Sequence, residues 1–174
     1  MSKKVIRFGL SPKEIERAIR ELKTFSQEFQ NKVDTYRKRL ADELAVNASL
    51  NFGNAILDDV IKGSSRTPDV NVQVKERGKV LVVVAKGKDA VWCEFGAGVY
   101  HNTSVGSSAH PYGQDLGFTI GSYGKGFGKG QAWGFNDENG ELVITRGTPA
   151  SMPMYNAAQE VLRKSIDIAK EVFG

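Results

Sequence analysis

The chain has 174 residues, of which 40% are hydrophobic and 25% are charged, a composition typical of one globular domain and too short for a large multidomain enzyme. No apolar run approaches the ~18 residues of a membrane-spanning helix, and the basic start is not followed by the apolar segment of a secretory signal. We therefore expect a single domain over residues 1–174, made in a cytoplasm and without a membrane partner. Cys93 is the only cysteine, which rules out an intramolecular disulfide.

The formal net charge of +4 is spread unevenly along the chain. Residues 1–10, which we predict to be an N-terminal arm, carry three bases and no acid, and residues 63–92 carry six bases against three acids. Any electropositive surface should lie on these two stretches. A scatter of exposed Lys and Arg is usually a solvated surface, so we do not expect nucleic acid as a partner.

A helix start is predicted at Ser11, which is a good N-cap, followed by Pro12 at the first helical position and Glu14 three residues after the cap. The long helical region predicted from this start covers residues 11–62. Apolar residues then recur at spacings of three and four, which draws a single stripe along the helix; they are Ile15, Ile19, Leu22, Phe25, Phe29, Val33, Tyr36, Leu40, Leu44 and Ala48.

The predicted helix is far longer than the usual ~12 residues. Residues 24–27 are its weakest part, so the pattern fits either one helix with a bend or a short helix joined to a long one. A small sheet cannot easily cover such a length. Part of the stripe is therefore expected to face another subunit, and the alternative is a helix packed wholly on its own domain.

Two β-hairpins are predicted. Val70, Val72 and Val74 alternate with polar residues, and after a turn at residues 76–79 a run of β-branched residues completes a hairpin over residues 70–85. A second hairpin covers residues 131–145, where Asn139 and Gly140 supply the positive backbone angles of its turn. Between the hairpins, residues 89–98 are predicted to be a short helical or extended segment ended by glycine.

Residues 112–130 form the one low-complexity segment, in which glycine alternates with aromatic residues and a few lysines. Such a sequence has too few large side chains to pack a core, so we predict a mobile surface loop. A functional interpretation is an arm that becomes ordered against a protein partner, with Tyr123, Phe127 and Trp133 as its anchors.

The last predicted element is an amphipathic helix over residues 151–173, with Ser151 as its N-cap. The side chains expected on its buried face recur at helical spacing; they are Met154, Ala157, Ala158, Val161, Leu162, Ile168 and Val172.

The sequence offers little for catalysis. Cys93 with His101 or His110 could be a nucleophile and its base, but a single cysteine next to Trp92 is more often a small buried apolar residue. His110 could bind a metal ion, yet without a second histidine at helical spacing we interpret it as a surface loop residue. We therefore predict no enzyme, and no catalytic, cofactor-binding or metal-binding residues.

Three segments resemble the tail-completion or head-tail joining (neck) proteins of long-tailed bacteriophages and prophages. They are Val-Trp-Cys-Glu-Phe-Gly-Ala-Gly at residues 91–98, Trp133 with residues 137–140, and residues 145–150 with 152–158. In that family a Val-Glu-Phe-Gly-Thr-Gly type motif precedes a glycine-rich loop, and a Gly-x-Pro-Ala-x-Pro-Phe-Met type motif opens the C-terminal helix. This chain departs from the pattern at Cys93, Ala97, Met152 and Met154.

The resemblance implies an α+β fold, with a small antiparallel β-sheet packed against a long N-terminal helix and a C-terminal helix. It implies a homo-oligomeric ring, a hexamer in the family, at the neck of the virion after assembly in the bacterial host cytoplasm. The partners it implies are connector or neck proteins and tail tube or terminator proteins. The alternatives are another neck or tail protein, such as a tail terminator, and a cytoplasmic enzyme that uses Cys93.

Glu94 and Phe95 lie within the first of these motifs. Phe95 is expected to be a core residue. Glu94 is a lone charge among apolar neighbours, and burying it unpaired would be costly. We therefore expect it to be hydrogen-bonded to backbone amides or paired with a base, either inside the domain or across a subunit contact. The predicted partner-binding residues are Glu94, Phe95, Tyr123, Phe127 and Trp133.

Overall fold

A computed structural model of the chain describes residues 5–59, 64–96, 110–113, 115–118, 133–137, 139–145 and 150–174. These residues have an α+β fold with the predicted long N-terminal helix, C-terminal helix and small antiparallel sheets. The described ranges contain these elements in chain order: α1 Pro12–Asn54, β1 Leu57–Asp59, β2 Ser64–Arg66, β3 Asn71–Arg77, β4 Val80–Lys86, α2 Ala90–Phe95, β5 Trp133–Asn136, β6 Leu142–Thr145 and α3 Pro153–Phe173.

Helix α1 begins as the sequence predicts. The backbone N–H of Glu14 donates to Ser11 Oγ at 3.4 Å, while the Ser11 hydroxyl donates to Glu14 Oε2 at 2.7 Å. This hydroxyl is the main reason why the pKa of Glu14 lies below its usual value. The helix then runs for 43 residues as one element, including the weak stretch at 24–27.

The C-terminal end of α1 lies earlier than predicted. The helical region was predicted to extend to residue 62. The helix stops at Asn54, and the N–H of Ala55 closes it by donating to Phe52 O at 3.1 Å. Gly53 and Asn54 are poor helix formers. The apolar side chains beyond them are drawn into a core instead, where Leu57 is buried in the unpredicted strand β1.

Helix α3 packs antiparallel against the C-terminal part of α1. Near the start of α3, Asn51 Nδ2 donates to Pro153 O at 3.1 Å, and near the middle Tyr36 donates its hydroxyl proton to Ser165 O at 3.3 Å. At its far end the ring of Phe173 lies 5.9 Å from that of Phe29, centroid to centroid. The apolar face of α3 therefore packs on the apolar stripe of α1.

The N-terminal part of α1 extends beyond α3, because α3 has only 21 residues and ends beside Phe29. From Pro12 to Phe29 this overhang is about 27 Å long at 1.5 Å per residue. Five large apolar side chains remain exposed along it, which we call the overhang stripe: Ile15 38%, Ile19 47%, Leu22 54%, Phe25 44% and Phe29 42%.

One residue of the predicted buried face of α3 is on the outside. Leu162 is 64% exposed and Ile166, one turn later, is 67% exposed. The prediction for Leu162 was wrong because the face of α3 that meets α1 is centred on Val161 and Ile168, which are both buried. A position next to Val161 on the helix turns away from that seam.

The strands form three two-stranded antiparallel sheets among the described residues, where the sequence predicted two hairpins. Strands β3 and β4 are joined by Gly78 and Lys79, and Gly78 adopts φ 61°. Among the described residues of the β5–β6 turn, Gly140 has a positive φ and Asn139 does not, so the prediction of positive angles at both Asn139 and Gly140 was half right. Asp137 Oδ1 instead holds that turn by accepting the N–H groups of Asn139 and Glu141.

The core lies where the end of α1 meets α2, the β3–β4 hairpin and the start of α3. Its buried members are Phe52, Ala55, Leu57 and Cys93, and partly buried Val70, Val72, Ala85 and Met154 pack around them. The small helix α2 is therefore fixed against one end of the helical pair, where α1 stops and α3 begins. Among the described residues, no helix combines the length and apolar character needed to cross a membrane.

Candidate functional site

Two of the three segments that were compared above with the neck proteins meet in space. Helix α2 lies in the first of them and the start of α3 lies in the third. The carbonyl oxygen of Cys93, in α2, accepts hydrogen bonds from Ser151 N at 3.0 Å, Met152 N at 3.3 Å and Ser151 Oγ at 3.1 Å. Segments about 60 residues apart in the chain are thus joined directly.

Glu94 caps the N-terminus of α3. Its Oε2 accepts the N–H of Met154 at 2.8 Å, and its Oε1 accepts the N–H of Tyr155 at 2.9 Å. The first turn of a helix has N–H groups without helical partners and carries the positive end of the helix dipole, so a carboxylate is a favourable cap there. Of the alternatives predicted for Glu94, which were backbone amides or a base, inside the domain or across a subunit contact, the structure shows backbone amides inside the domain.

The predicted cap of α3, Ser151, does not perform this role. The residue at the N-cap position is Met152, which has φ 53° and makes no side-chain cap hydrogen bond. Ser151 is one residue too early, and its hydroxyl donates to Cys93 O instead. Because Glu94 supplies the acceptor from another element, a local cap is not required.

His110 is the third group at this site, and its prediction as a surface loop histidine was wrong. The residue is 6% exposed, and its Nε2 lies 3.1 Å from Glu94 Oε1. The N–H of Tyr112 donates to His110 Nδ1 at 3.0 Å, so Nδ1 is an acceptor and the proton resides on Nε2. The Nε2–H group therefore donates a third hydrogen bond to the Glu94 carboxylate.

Aromatic rings surround this polar centre. The Phe95 ring is stacked on Phe118 with centroids 4.1 Å apart, and it lies 4.5 Å from the ring of His110. Tyr155 contacts His110 edge to face at 5.3 Å. We call this group the Glu94 cluster; its members are Glu94, Phe95, His110, Tyr112, Phe118 and Tyr155.

Phe95 is half-buried rather than a full core residue as predicted. It occupies the last turn of α2, just before Gly96, which has φ 77° and ends the helix. Phe118 covers one face of the Phe95 ring within the Glu94 cluster. The rest of the ring is partly exposed to solvent.

A second buried carboxylate lies at the start of α2. Asp89 accepts two hydrogen bonds from Arg66, at 2.6 and 2.9 Å, and a third from the N–H of Asp69 at 2.8 Å. Burial by itself raises the pKa of Asp89, but the hydrogen bonds from Arg66 and Asp69 outweigh it and leave that pKa below its usual value. This pairing fixes the loop before β3 to α2.

Cys93 lies at the centre of the core with none of its surface exposed. Burial is the main cause that raises the pKa of its thiol to about 11. The reactive form of cysteine is the thiolate. Both ring nitrogens of His110 are engaged by Glu94 and Tyr112, and His101 lies outside the described residues, so the geometry disfavours the nucleophile interpretation.

We expect Cys93 to react with an aromatic disulfide reagent at pH 8 at least about a hundredfold more slowly in the folded protein than in denaturant. The fold both blocks access of the reagent to the thiol and suppresses formation of the thiolate. A Leu162→Cys variant, whose added thiol is on the exposed face of α3, provides the control and should react at once. Equal rates for Cys93 in the folded and denatured protein would restore it as a candidate nucleophile.

The remaining predicted contact residues are only partly placed. Trp133 begins β5, where it pairs with Thr145 of β6. Tyr123 and Phe127, and the predicted glycine-rich loop from residue 119 onward, lie outside the described residues. Within the described part of the chain, no three His, Cys, Asp or Glu side chains are grouped so that they could hold a metal ion.

A sequence signal for the role of His110 does exist. Between Lys88 and Lys125 the chain has no Lys or Arg. A buried Glu94 in this stretch has only the two histidines as nearby bases in sequence. No comparable signal marks Tyr155, which contributes its backbone N–H to Glu94 and its ring to the contact with His110.

The chain was compared with protein-family models, with curated proteins and with solved structures, and none of these comparisons finds a match.

Proposed function

We propose that this protein is a structural component of a long-tailed bacteriophage or prophage particle, which completes the tail and joins it to the head. It acts through protein–protein contacts, within a homo-oligomeric ring at the neck. The proposed partners are connector or neck proteins on one side and tail tube or terminator proteins on the other.

The observation that carries this proposal is the hydrogen bonding of Glu94 to the start of α3. The resemblance depends on three segments, and Glu94 of the first accepts the N–H groups of Met154 and Tyr155 in the third. A direct contact gives both motifs one structural purpose, which is to fix the C-terminal helix. Motifs that share a purpose in the fold support a common architecture more strongly than two unrelated short matches.

The exposed surfaces also suit an assembly protein. Five large apolar side chains of the overhang stripe are each 38–54% exposed on one helix face, and contiguous exposed apolar surface commonly marks protein contacts. Leu162 and Ile166 add a second such site on α3. By contrast, the polar groups of the Glu94 cluster form hydrogen bonds with one another and with the backbone of α3. This favours a structural role for the cluster.

The proposal is tested by imaging particles made with this gene deleted. We expect full heads and separate tails of normal length, and restoration of joined particles by the wild-type gene. A tail terminator stops growth of the tube, so tails of irregular length would identify that alternative role instead. Normal joined particles in the deletion strain would refute the proposal.

Deletion of residues 122–130 tests the proposed contact arm. A glycine-rich stretch of this kind can bury little apolar area. We therefore expect the purified variant to melt within a few degrees of wild type but to fail in restoring joined particles. A large fall in melting temperature would show that this stretch belongs to the core, and full joining activity would remove Tyr123 and Phe127 as contact residues.

A further inference from the structure

The outer edge of strand β4 is open. Among the described residues, the β3–β4 sheet has two strands, and Gly78 and Lys79 form its turn. A two-residue turn makes the flanking pair, Arg77 and Val80, exchange hydrogen bonds, and every second pair along the ladder does the same. The residues of β4 between those pairs point their N–H and C=O groups away from β3; they are Leu81, Val83 and Ala85. Within the described ranges, no hydrogen bond reaches these outward groups.

The two edges of this hairpin differ in charge. Strand β3 carries Lys75, Glu76 and Arg77, and charged side chains on an edge discourage another strand from pairing with it. Strand β4 is uncharged from Val80 to Ala85 and contains no proline. Its register with β3 is continuous over seven residue pairs, so no bulge bends the edge away. The middle of the β4 edge therefore lacks a charge, proline or bulge that would prevent a further strand from pairing with it.

A groove runs along this edge on the side of α1. It is open to solvent and has a volume of about 360 Å³, and the apolar residues that line it include Leu40 and Leu44 of α1 and Leu81 and Val83 of β4. No residue of β4 is fully buried. Alternate side chains of a strand lie on the same face of the sheet. A strand added to β4 would therefore place every second side chain in this groove.

Bases lie at both ends of the β4 edge. Lys79 is in the turn at one end and lines the groove, and Lys86 is the last residue of β4. Lys86 lies close to Lys75, and its ammonium group holds the pKa of Lys75 below the usual value. In the part of the chain that the structure describes, no acid pairs with these three lysines. An acid at each end of an added strand would supply opposite charges across the strands.

A single extended segment fits this edge better than a second copy of the chain. One more strand adds only about 4.8 Å to the width of the sheet. Two β4 strands paired antiparallel would place both α1 helices, and the α3 that packs on each, on one face of the joined sheet. The two helix pairs would then compete for the space beside the groove. Nucleic acid is also a poor fit, because the middle of the edge has no base to contact a phosphate.

We propose that the outer edge of β4 is a docking site for an extended segment of a partner protein, which pairs with Val80–Lys86 as an added β-strand. The segment has an uncharged middle rich in β-branched residues, which fills the groove, and an acid at each end near Lys79 and Lys86. Backbone hydrogen bonds supply the affinity, and the groove and the two lysines supply the specificity. This contact does not depend on the proposed role at the phage neck.

The probe for the purified full chain is the synthetic peptide acetyl-Glu-Val-Thr-Val-Thr-Val-Glu-amide. We expect it to bind with a Kd of about 1 mM or tighter and to slow amide hydrogen exchange at Leu81, Val83 and Ala85. Without the peptide, these amides should exchange at least about tenfold faster than those of Val82 and Val84, which donate to β3. The same peptide with N-methyl groups on its three valines should bind at least about tenfold more weakly, because those nitrogens cannot donate to β4.

Val83→Pro and Val74→Pro form a matched pair of variants. The two valines face each other across the hairpin, and each points its N–H outward, Val83 at the β4 edge and Val74 at the β3 edge. Proline at either position spares the hydrogen bonds between the strands. We expect Val83→Pro to weaken peptide binding at least about tenfold and Val74→Pro to leave it unchanged. The N-methylated peptide needs no variant, so it decides the question even where Val83→Pro unfolds.

Four results would overturn parts of this proposal. No binding of the parent peptide at about 1 mM would remove the docking site, and equal binding of the parent and N-methylated peptides would exclude strand addition. Equal binding of a peptide with Lys in place of both Glu residues would remove the acids from the partner. A wild-type dimer in sedimentation equilibrium that Val83→Pro abolishes would make a second copy the occupant. None of these results bears on the particle assay, so the two proposals fail separately.

Discussion

Replacing Glu94 with Gln is expected to lower the free energy of unfolding by about 2–4 kcal/mol, which corresponds to a fall in melting temperature of roughly 5–15 °C. The carboxylate accepts hydrogen bonds from Met154 N, Tyr155 N and His110 Nε2. A Gln side chain must turn its NH₂ group toward at least one of these donors. That donor then loses its hydrogen bond, and its N–H faces the N–H of the amide. It also removes the negative charge from the N-terminus of α3.

Glu160→Gln is the matched control for this variant. Glu160 is also an acid of the α3 region, two turns into the helix, but its side chain is 46% exposed and its ion pair with Lys164 is on the surface. We expect its replacement to change the free energy of unfolding by less than about 0.5 kcal/mol. A Glu94→Gln protein that melts like wild type but fails to join particles would move Glu94 from a structural role to an interface.

Asp89→Asn is expected to lower the free energy of unfolding by about 2–3 kcal/mol at pH 7, because it weakens a buried acceptor of three hydrogen bonds and leaves Arg66 without its charge partner. The pKa of Asp89 lies below its usual value in the folded protein. Its stabilisation is therefore fully present above pH ~4, the unfolded value, and is lost as the pH falls through the folded pKa.

The difference in stability between wild type and Asp89→Asn should accordingly shrink as the pH is lowered from 5 toward 2. Chemical denaturation at a series of pH values measures this difference. Asp34→Asn is the matched control, since Asp34 pairs with Arg37 at 2.8 Å but its side chain is 54% exposed. A constant gap between wild type and Asp89→Asn across this range would contradict the assigned pairing.

Features set by neighbouring residues could be predicted from the sequence. Ser11 and Glu14 fix the start of α1 within one turn, and Gly78 marks the turn of the β3–β4 hairpin by supplying a positive φ. The helical spacing of apolar residues gives both long helices and most of the buried face of α3, but five of the ten residues in the predicted stripe of α1 are exposed. Each of these signals acts over a few residues, which is the range that a pattern in one sequence can report.

Features set by distant residues were missed or misassigned. The cap of α3 comes from Glu94 rather than Ser151, and no pattern around Ser151 reveals an acceptor about 60 residues away. Strands β1 and β2 have three residues each and too little periodicity to be recognised. The role of His110 could have been predicted only by assuming that Glu94 is buried and needs a base, since histidine is the only basic residue type near it in sequence.

The seam between α1 and α3 also has a consequence for the synthesis of the chain. Arg39 meets Glu171 and Tyr36 meets Ser165, so residues about 130 positions apart must come together. On the ribosome, α1 emerges first and its apolar face stays bare until α3 has followed it. Loop closure over such a distance is slow compared with helix formation. A nascent or truncated chain without α3 therefore exposes a longer apolar face than the finished protein, and is the form most in need of a chaperone.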